Sequence, residues 1–582
     1  MFAFHYHDAT KHHFNRFARS LGYLDWATQP DPFRRYDGAP RIELPREAVA
    51  DRVPYAALFD PADLTRLRHR ASAGSGLSQG PSPPIDQRTI GEFLRCSMGL
   101  SAWKQYQSSR WALRVNPSSG NLHPTECYIV WDGHICHYAP REHALEVRCE
   151  LSRTIKVRAA SRDELVRDNC FLVGLTSVFW REAWKYGERA FRYCQHDVGH
   201  AIGALRFAAA LLGWKLRLLP WADRDVASVL GVDREEDYGN AEREDAECLA
   251  LVTHGDAAGW PHVHAEAVVS AAREGTWRGR ANALSRAQVE WPIIDGVAAA
   301  TRRQDSGIGN QESGRLRNQI VESGVRSEGA GNQDDESLLA RRIILQRRSA
   351  VAFDGRSSLS SVAFFSMLQR LDPCGSPWDA IDWPPQVHLA MFVHRVDGIV
   401  PGIYAYLRDD VLDQWRAAMR PEFLWEKVRL KAAPPYDTAT SNDPNANDSN
   451  DPNDSNDRRG LFLLLPMDVK WAGKRVSCDQ DIAGDGYFSL GMIARFEPAL
   501  QEHGEWMYRR LFWECGLIGQ VLYLEAEAAG GRATGIGCFY DDAVHEVLGL
   551  EGIAWQSLYH FSMGMPVEDT RLTSEAGYPE HF

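Results

Sequence analysis

Residues 188–213 read ERAFRYCQHDVGHAIGALRFAAALLG, and residues 505–530 read EWMYRRLFWECGLIGQVLYLEAEAAG. At a constant offset of 317 they share Glu188/Glu505, Arg192/Arg509, Gly199/Gly516, Leu205/Leu522, Ala209/Ala526 and Gly213/Gly530. Both stretches predict long helices with small residues along one face, which lets a neighbouring helix approach closely. With one inserted residue the parallel continues: Asp223, Val226, Leu230 and Gly231 match Asp541, Val544, Leu548 and Gly549. The chain therefore contains one fold twice, and neither half has the short period of a solenoid.

Working outward, each half mixes short apolar strands (CYIVW, VHLAMFV, GIYAY) with long helices. That pattern is α+β, a sheet with helices packed around it. Two copies joined in one chain are expected to pair as a symmetric homodimer does, giving an intramolecular pseudo-dimer. The 582 residues also exceed one ordinary core. The expected organisation is an N-terminal segment (1–45), a first domain (46–290), a linker (291–336) and a second domain (337–582). Residues 302–336 are polar and glycine-rich without aromatics, and 437–459 are built from Ser, Asn, Asp and Pro. Neither can bury enough apolar surface to offset its chain entropy, so both are expected to be disordered, the second as a loop insertion.

Bulk properties exclude some classes. The net charge of −13 argues against non-specific nucleic-acid binding. No run of 18 apolar residues is present, so no membrane span is expected. The start, MFAFHYHDATKHHFNRFARS, has no apolar core of a signal peptide. Eleven cysteines without a CxxC pair suit reduced thiols, and a cytoplasmic location is expected.

Between an apolar, aromatic-bearing run and the predicted strand CYIVW lies NPSSGNLHP (116–124), a tight polar loop by its Pro, Ser, Gly and Asn content. Arg347-Arg348-Ser349 precedes a helix, and Gly535-Ile536-Gly537 is a short glycine-bearing stretch that says little alone. HDVGH (196–200) places two histidines one helical turn apart, as zinc hydrolases do, but with aspartate for glutamate and an internal glycine. Its counterparts Trp513 and Leu517 are apolar, so packed histidines are the preferred reading. His5, His7, His12 and His13 read as surface histidines, and no role follows for Asp8, Thr10 or Lys11.

Five motifs in order, NPSSGNLHPTE, WKYGERAFRY, RRSAVAFDG, GIGCFYDDAVHEVLGL and LYHFSMGMPVEDTRL, resemble the flavin-dependent nitroreductase superfamily. Within it the likeness is to the SagB/ThcOx group of azoline-oxidising dehydrogenases. The resemblance covers most of the chain apart from the two polar segments. It implies FMN held between two subunits, here between two domains. One side supplies Arg347, Ser349, a glycine loop with Gly535 and Gly537, and a late basic residue, Arg571. The other supplies Pro117, Ser118, Ser119 and Asn121. Val351 departs from the family, which often carries a further basic residue there.

The halves have lost complementary parts. The first reads Arg-Leu-Leu-Pro at 217–220 where the glycine loop belongs, and its Arg70-x-Ser72 lies too far before Phe93. The second reads WDAIDWP (378–384) where the Pro-Ser-Ser loop belongs. One composite FMN site per chain is the expectation. The resemblance further implies a catalytic pair, Lys185-Tyr186, replaced by Glu502-His503 in the second half. FMN would take a hydride while a lysine amine or a tyrosinate takes a proton. The expected substrate is an azoline-type peptide or small molecule, with natural-product pathway enzymes as partners, in a pseudo-dimeric monomer or higher homo-oligomer. The alternatives are an NAD(P)H-dependent nitro or quinone reductase and a non-catalytic scaffold.

Overall fold

The computed structural model describes residues 1–60, 82–152, 170–254, 260, 263–305, 338–429 and 458–578. Arg70 and Ser72, most of the polar segment 302–336 and nearly all of the insertion 437–459 lie outside these residues.

The described residues form an α+β structure in which the duplicated sequence gives duplicated sheets. The strands of the first sheet are β1 (Arg41–Glu43), β4 (Thr125–Trp131), β5 (His134–Ala139), β6 (Ala144–Glu150), β7 (Cys170–Ser177), β8 (Trp214–Leu218), β9 (Asp245–His254) and β10 (Thr276–Trp277). Between β1 and β4 a hairpin, β2 (Leu100–Tyr106) and β3 (Ser109–Arg114), stands in a separate small sheet. The second large sheet has β11 (Val387–Val393), β12 (Gly402–Leu407), β13 (Glu426–Lys427), β14 (Gly460–Pro466), β15 (Phe488–Arg495), β16 (Arg532–Ile536) and β17 (Trp555–Gly564). The shared part runs β6-β5-β4-β7-β9-β8 in the first and β14-β12-β11-β15-β17-β16 in the second. Counted from the first strand of each half, both orders are 3-2-1-4-6-5, and every pairing is antiparallel. The two halves are tandem domains of one fold.

Four helices position the site: α1 (Phe2–Ala9), α2 (Phe179–Tyr186), α3 (Ala190–Leu211) and, from the second half, α5 (Met507–Ala528). Between them in the chain, α4 (Pro292–Ala300) falls where a linker was expected to begin. Every residue of α3 is buried, as expected of a helix at the centre of a large core. It packs on α5 with its glycines at the crossing. A Cβ on Gly199 would lie 2.3 Å from the Trp513 carbonyl oxygen, and one on Gly516 2.3 Å from that of His196.

Polar side chains on these buried helices are paired across the domains. Arg189, just before α3, and Arg192 of α3 hold Asp541 of the second half at 2.7 and 2.6 Å. Arg509 of α5 reaches back to Glu247 at 2.7 Å and Asp245 at 3.2 Å. A buried charge without a partner is strongly destabilising, so these pairs set how the halves dock.

Both chain ends pack across the two domains. The C-terminal strand β18 (Thr573–Ala576) leaves its own domain and pairs with β2 of the first. At the other end, His7 and His12 are buried, contrary to their reading as surface histidines. His7 lies within 3.2 Å of Gln556 and 3.4 Å of Tyr508. The His12 amide donates to Asp541. Burial pulls His12 down to about 3, which keeps it neutral. Thr10 gives its carbonyl to Arg189, and Lys11 pairs with Asp542. The N-terminal segment is thus part of the domain interface. His5 is exposed and His13 half-buried.

Candidate active site

A cavity of about 480 Å³ opens between the two domains. That is within the usual range of small-molecule sites, roughly 300–1,000 Å³. Its first-domain wall is the Pro117–Asn121 loop, whose Ser119–Asn121 turn precedes β4. Gly120, Asn121 and His123 all have positive φ, near 57°, 60° and 52°. The loop holds this unusual backbone with its own side chains. The His123 amide donates to Ser118 Oγ at 2.8 Å, and Asn121 Nδ2 donates to the Ala112 carbonyl at 2.9 Å. The Ser119 amide and hydroxyl both donate to Asp197 Oδ1 at 3.0 Å.

Lys185 and Tyr186, at the end of α2, touch this loop. A Cβ on Gly120 would fall 2.6 Å from Tyr186 Oη and 3.1 Å from Lys185 Nζ. Tyr186 lines the cavity and stacks on Tyr193, with centroids 4.3 Å apart. Lys185 is exposed and stands beside the cavity rather than in its lining. Burial, with Glu182 next in weight, pushes the Tyr186 phenol well above its usual range. Tyr186 is therefore a neutral phenol at neutral pH, and the expected tyrosinate base is corrected.

The second-domain wall brings Arg347, Ser349, Gly535 and Gly537 to the same cavity. Tyr523 of α5, which sequence reasoning missed, ties them together. Its hydroxyl stands 2.9 Å from Ser349 Oγ and accepts the Gly535 amide at 2.9 Å. The Arg347 guanidinium lies over its ring at 4.9 Å. Tyr523 occupies the position of Arg206 in the first half, a difference visible in the alignment of the halves. The glycines are needed for close approach. A Cβ on Gly535 would meet Tyr559 Oη at 1.9 Å, and one on Gly537 would meet Tyr193 Cε1 at 2.0 Å. The Gly535 amide is taken by Tyr523.

Arg347 spans the domains, donating from Nε to the Val115 carbonyl and from Nη2 to the Arg114 carbonyl. Its Nη1 is buried without a partner. Lys104, Arg348 and Arg532 also line the cavity. Burial and the Arg347 charge pull Arg348 down to about 10, and burial lowers Lys104. Crowded cations with an unsatisfied donor fit a phosphate dianion, which guanidinium forks bind well. Arg571 is not in the lining. Its side chain is 71% exposed and pairs with Asp569 at 2.7 Å, and Arg532 stands nearer the cavity.

Asp197, read from the sequence only as part of HDVGH, is a further cavity residue. Burial pushes its carboxyl up to about 7 against the bonds from the serine loop. Glu182 on α2, also buried, is pushed well above its usual range by burial and by Asp197. The flanking histidines face the second domain. His196 reaches the Leu558 carbonyl at 3.0 Å and stacks on Tyr559, and His200 reaches Tyr559 Oη at 3.2 Å. Among the described residues no group of three or more His, Cys, Asp or Glu could hold a metal ion.

The pseudo-symmetric positions are filled differently. Trp513 replaces His196, and Trp383 of the WDAIDWP stretch packs on it at 6.3 Å. Arg510 replaces Tyr193 and lies over Trp506 and Trp513 at 5.1 and 4.2 Å. An indole and a guanidinium stand where the first half has His196 and Tyr193.

Strand order, the paired halves and the cavity between them define the relationship to known proteins. Residues 387–565 match the model of the nitroreductase family. The nitroreductase-like fold is found in both halves of the chain. A crystal structure from Anabaena variabilis, provisionally assigned as a nitroreductase, superposes with a TM-score of 0.61 at 18% identity. The match covers 97% of this chain and 99% of that one. A second such structure, from Ralstonia eutropha, matches 40% of this chain and 97% of its own at 13% identity and TM-score 0.26. The microcin synthetase McbBCD complex of E. coli, with truncated pro-MccB17 bound, matches 31% and 71% at 20% identity and TM-score 0.21. No curated protein matches in sequence. No helix among the described residues is long and apolar enough to cross a membrane.

Proposed function

We propose that the chain is an FMN-dependent oxidoreductase with one composite flavin site, acting as a dehydrogenase on an azoline-type peptide or small molecule. The observation that carries this reading is the single cavity lined by both the Pro117–Asn121 loop of one domain and Arg347, Ser349, Gly535 and Gly537 of the other. The nitroreductase match over 387–565 supports the oxidoreductase class. The substrate class rests on the likeness of the five motifs to the SagB/ThcOx group. The packed indoles at the pseudo-symmetric positions support one site rather than two.

In this reading Arg347, Arg348, Lys104 and Arg532 would hold the FMN phosphate, and the serine loop would hydrogen-bond the flavin. FMN when bound supplies the two-electron acceptor for a hydride. The chain's own residues manage the proton and the substrate's orientation. Tyr186, a neutral phenol, donates a hydrogen bond to the substrate. Lys185 Nζ, beside Gly120, is placed to hydrogen-bond the substrate. The proton acceptor is Ser119 Oγ, whose own proton passes to Asp197 Oδ1 along a 3.0 Å hydrogen bond. A carboxyl near 7 is poised to receive a proton at neutral pH.

The deciding experiment is the flavin content of the purified chain. About one FMN per chain is the expected result. Two per chain would mean that the second site is open. None, after incubation with FMN, would overturn the oxidoreductase reading. An enzyme that reoxidises with oxygen and ignores NADH and NADPH is the expected behaviour of the dehydrogenase; rapid reduction by either nucleotide would identify a reductase.

A further inference from the structure

The cavity wall contains a feature that flavin chemistry does not require. Cys538 follows the Gly535–Gly537 loop directly and lines the cavity, and its Sγ lies 3.1 Å from the Sγ of Cys478. Both thiols are free and half-buried, so a small reagent can reach them. The sulfurs need only close by roughly 1 Å to reach a disulfide bond length.

The surroundings hold the two cysteines in register. The Tyr540 amide donates to the Val476 carbonyl at 3.0 Å. Gln480 Nε2 bridges the Ser477 and Cys538 carbonyls at 2.9 Å each. Cys478 and Asp479 both have positive φ, near 55° and 57°, so this tight turn is bent to bring Cys478 over Cys538. Such a backbone costs about 1–3 kcal/mol per residue unless its surroundings enforce it. The two thiols are also unequal. The hydrogen bond with Cys478 comes first and the Arg189 guanidinium adds to it, and together they lower Cys538. The same sulfur contact, with burial, raises Cys478. Cys538 is also the one of the two that lines the cavity, which makes it the thiol a small reagent meets first.

We propose that Cys478 and Cys538 form a reversible dithiol–disulfide couple in the cavity wall, with a low-molecular-weight disulfide as its oxidant. The Cys538 thiolate attacks one sulfur of the small disulfide and expels one thiolate, forming a mixed disulfide. Cys478 then attacks Cys538 Sγ, gives up its proton and expels the second thiolate. Two cysteine thiols are oxidised by two electrons, one small disulfide is reduced to two thiols, and the two cysteine protons end on those products. The closed bond staples the turn at 477–480 to the glycine loop, so the redox state of the pair sets the rigidity of this wall. The inference does not depend on a bound flavin.

The test incubates the full chain with oxidised glutathione and counts thiols after denaturation. The count is expected to fall from 11 to nine, with a peptide map linking Cys478 to Cys538 and full recovery on adding reduced glutathione. The C478S chain is expected to accumulate one glutathionyl group on Cys538 that the unaltered chain does not retain. Retention of all 11 thiols, a link between other cysteines, or a persistent adduct on Cys538 of the unaltered chain would each overturn the proposal. The peptide map of the unaltered chain decides the matter even where a variant folds poorly.

Discussion

Gly199 and Gly516 face each other where the two longest helices cross. A Cβ on Gly199 would lie 2.9 Å from the Gly516 Cα, and one on Gly516 2.8 Å from the Gly199 Cα. The atoms met are backbone, so no rotamer change relieves the overlap. Gly199→Ala or Gly516→Ala is expected to cost about 1–3 kcal/mol or more by overpacking. Thermal unfolding checks this, and an unchanged midpoint would mean that the domains do not dock through this crossing.

Arg347 holds the first domain's backbone with two nitrogens and leaves Nη1 for a ligand. Arg347→Lys keeps the charge but loses the fork. FMN retention, measured as released flavin per chain, is expected to fall at least tenfold, since a charge-assisted hydrogen bond is worth about 1.5–3 kcal/mol. Arg571→Ala is expected to change retention by less than about twofold, because its exposed side chain pairs with Asp569 and lies over the Tyr106 ring, outside the cavity lining. Equal losses in the two variants would put the phosphate elsewhere.

Lys185→Ala combined with Tyr186→Phe should leave flavin content intact while slowing substrate oxidation by about 100- to 10,000-fold, the usual range for general acid–base groups. Stopped-flow reduction of the flavin by substrate provides the readout. Unchanged reduction would remove both residues from the mechanism.

Asp197 gives a pH signature. Its unfolded carboxyl titrates near 3.8 and its folded one near 7. Between those values the folded chain keeps a proton that the unfolded chain has released, so stability falls as pH rises and levels off above about 7. Full ionisation costs on the order of 4 kcal/mol, at about 1.36 kcal/mol per pH unit. Asp197→Asn keeps an acceptor for Ser119 and should flatten that slope in urea unfolding followed from pH 4 to pH 8. A slope of the same size in the variant would assign it to other groups.

Much of the architecture was legible from residue patterns. The repeat at 188–213 and 505–530 carries the duplication because helix periodicity and glycine placement are local properties of the chain. Ser119, Arg347, Ser349, Gly535 and Gly537 could be picked out because short motifs specify short stretches of backbone. Tyr523 could not, since nothing beside it in the chain says that its hydroxyl will meet Ser349 and Gly535. Asp197 was visible only as part of a pair of histidines, because its titration depends on the protein packed around it.

The amino-acid sequence by itself thus determined that one α+β fold occurs twice and that the two copies kept different parts. Only the tertiary structure decided which of those parts meet in one cavity. It buried His7 and His12 in the interface, left Arg571 exposed, carried the C-terminal strand onto the first domain and set Cys478 against Cys538. The reason is physical. Periodicity and turn chemistry act between neighbours in the chain, whereas burial, charge pairing and close approach act between residues that the chain separates by hundreds of positions and only packing brings together.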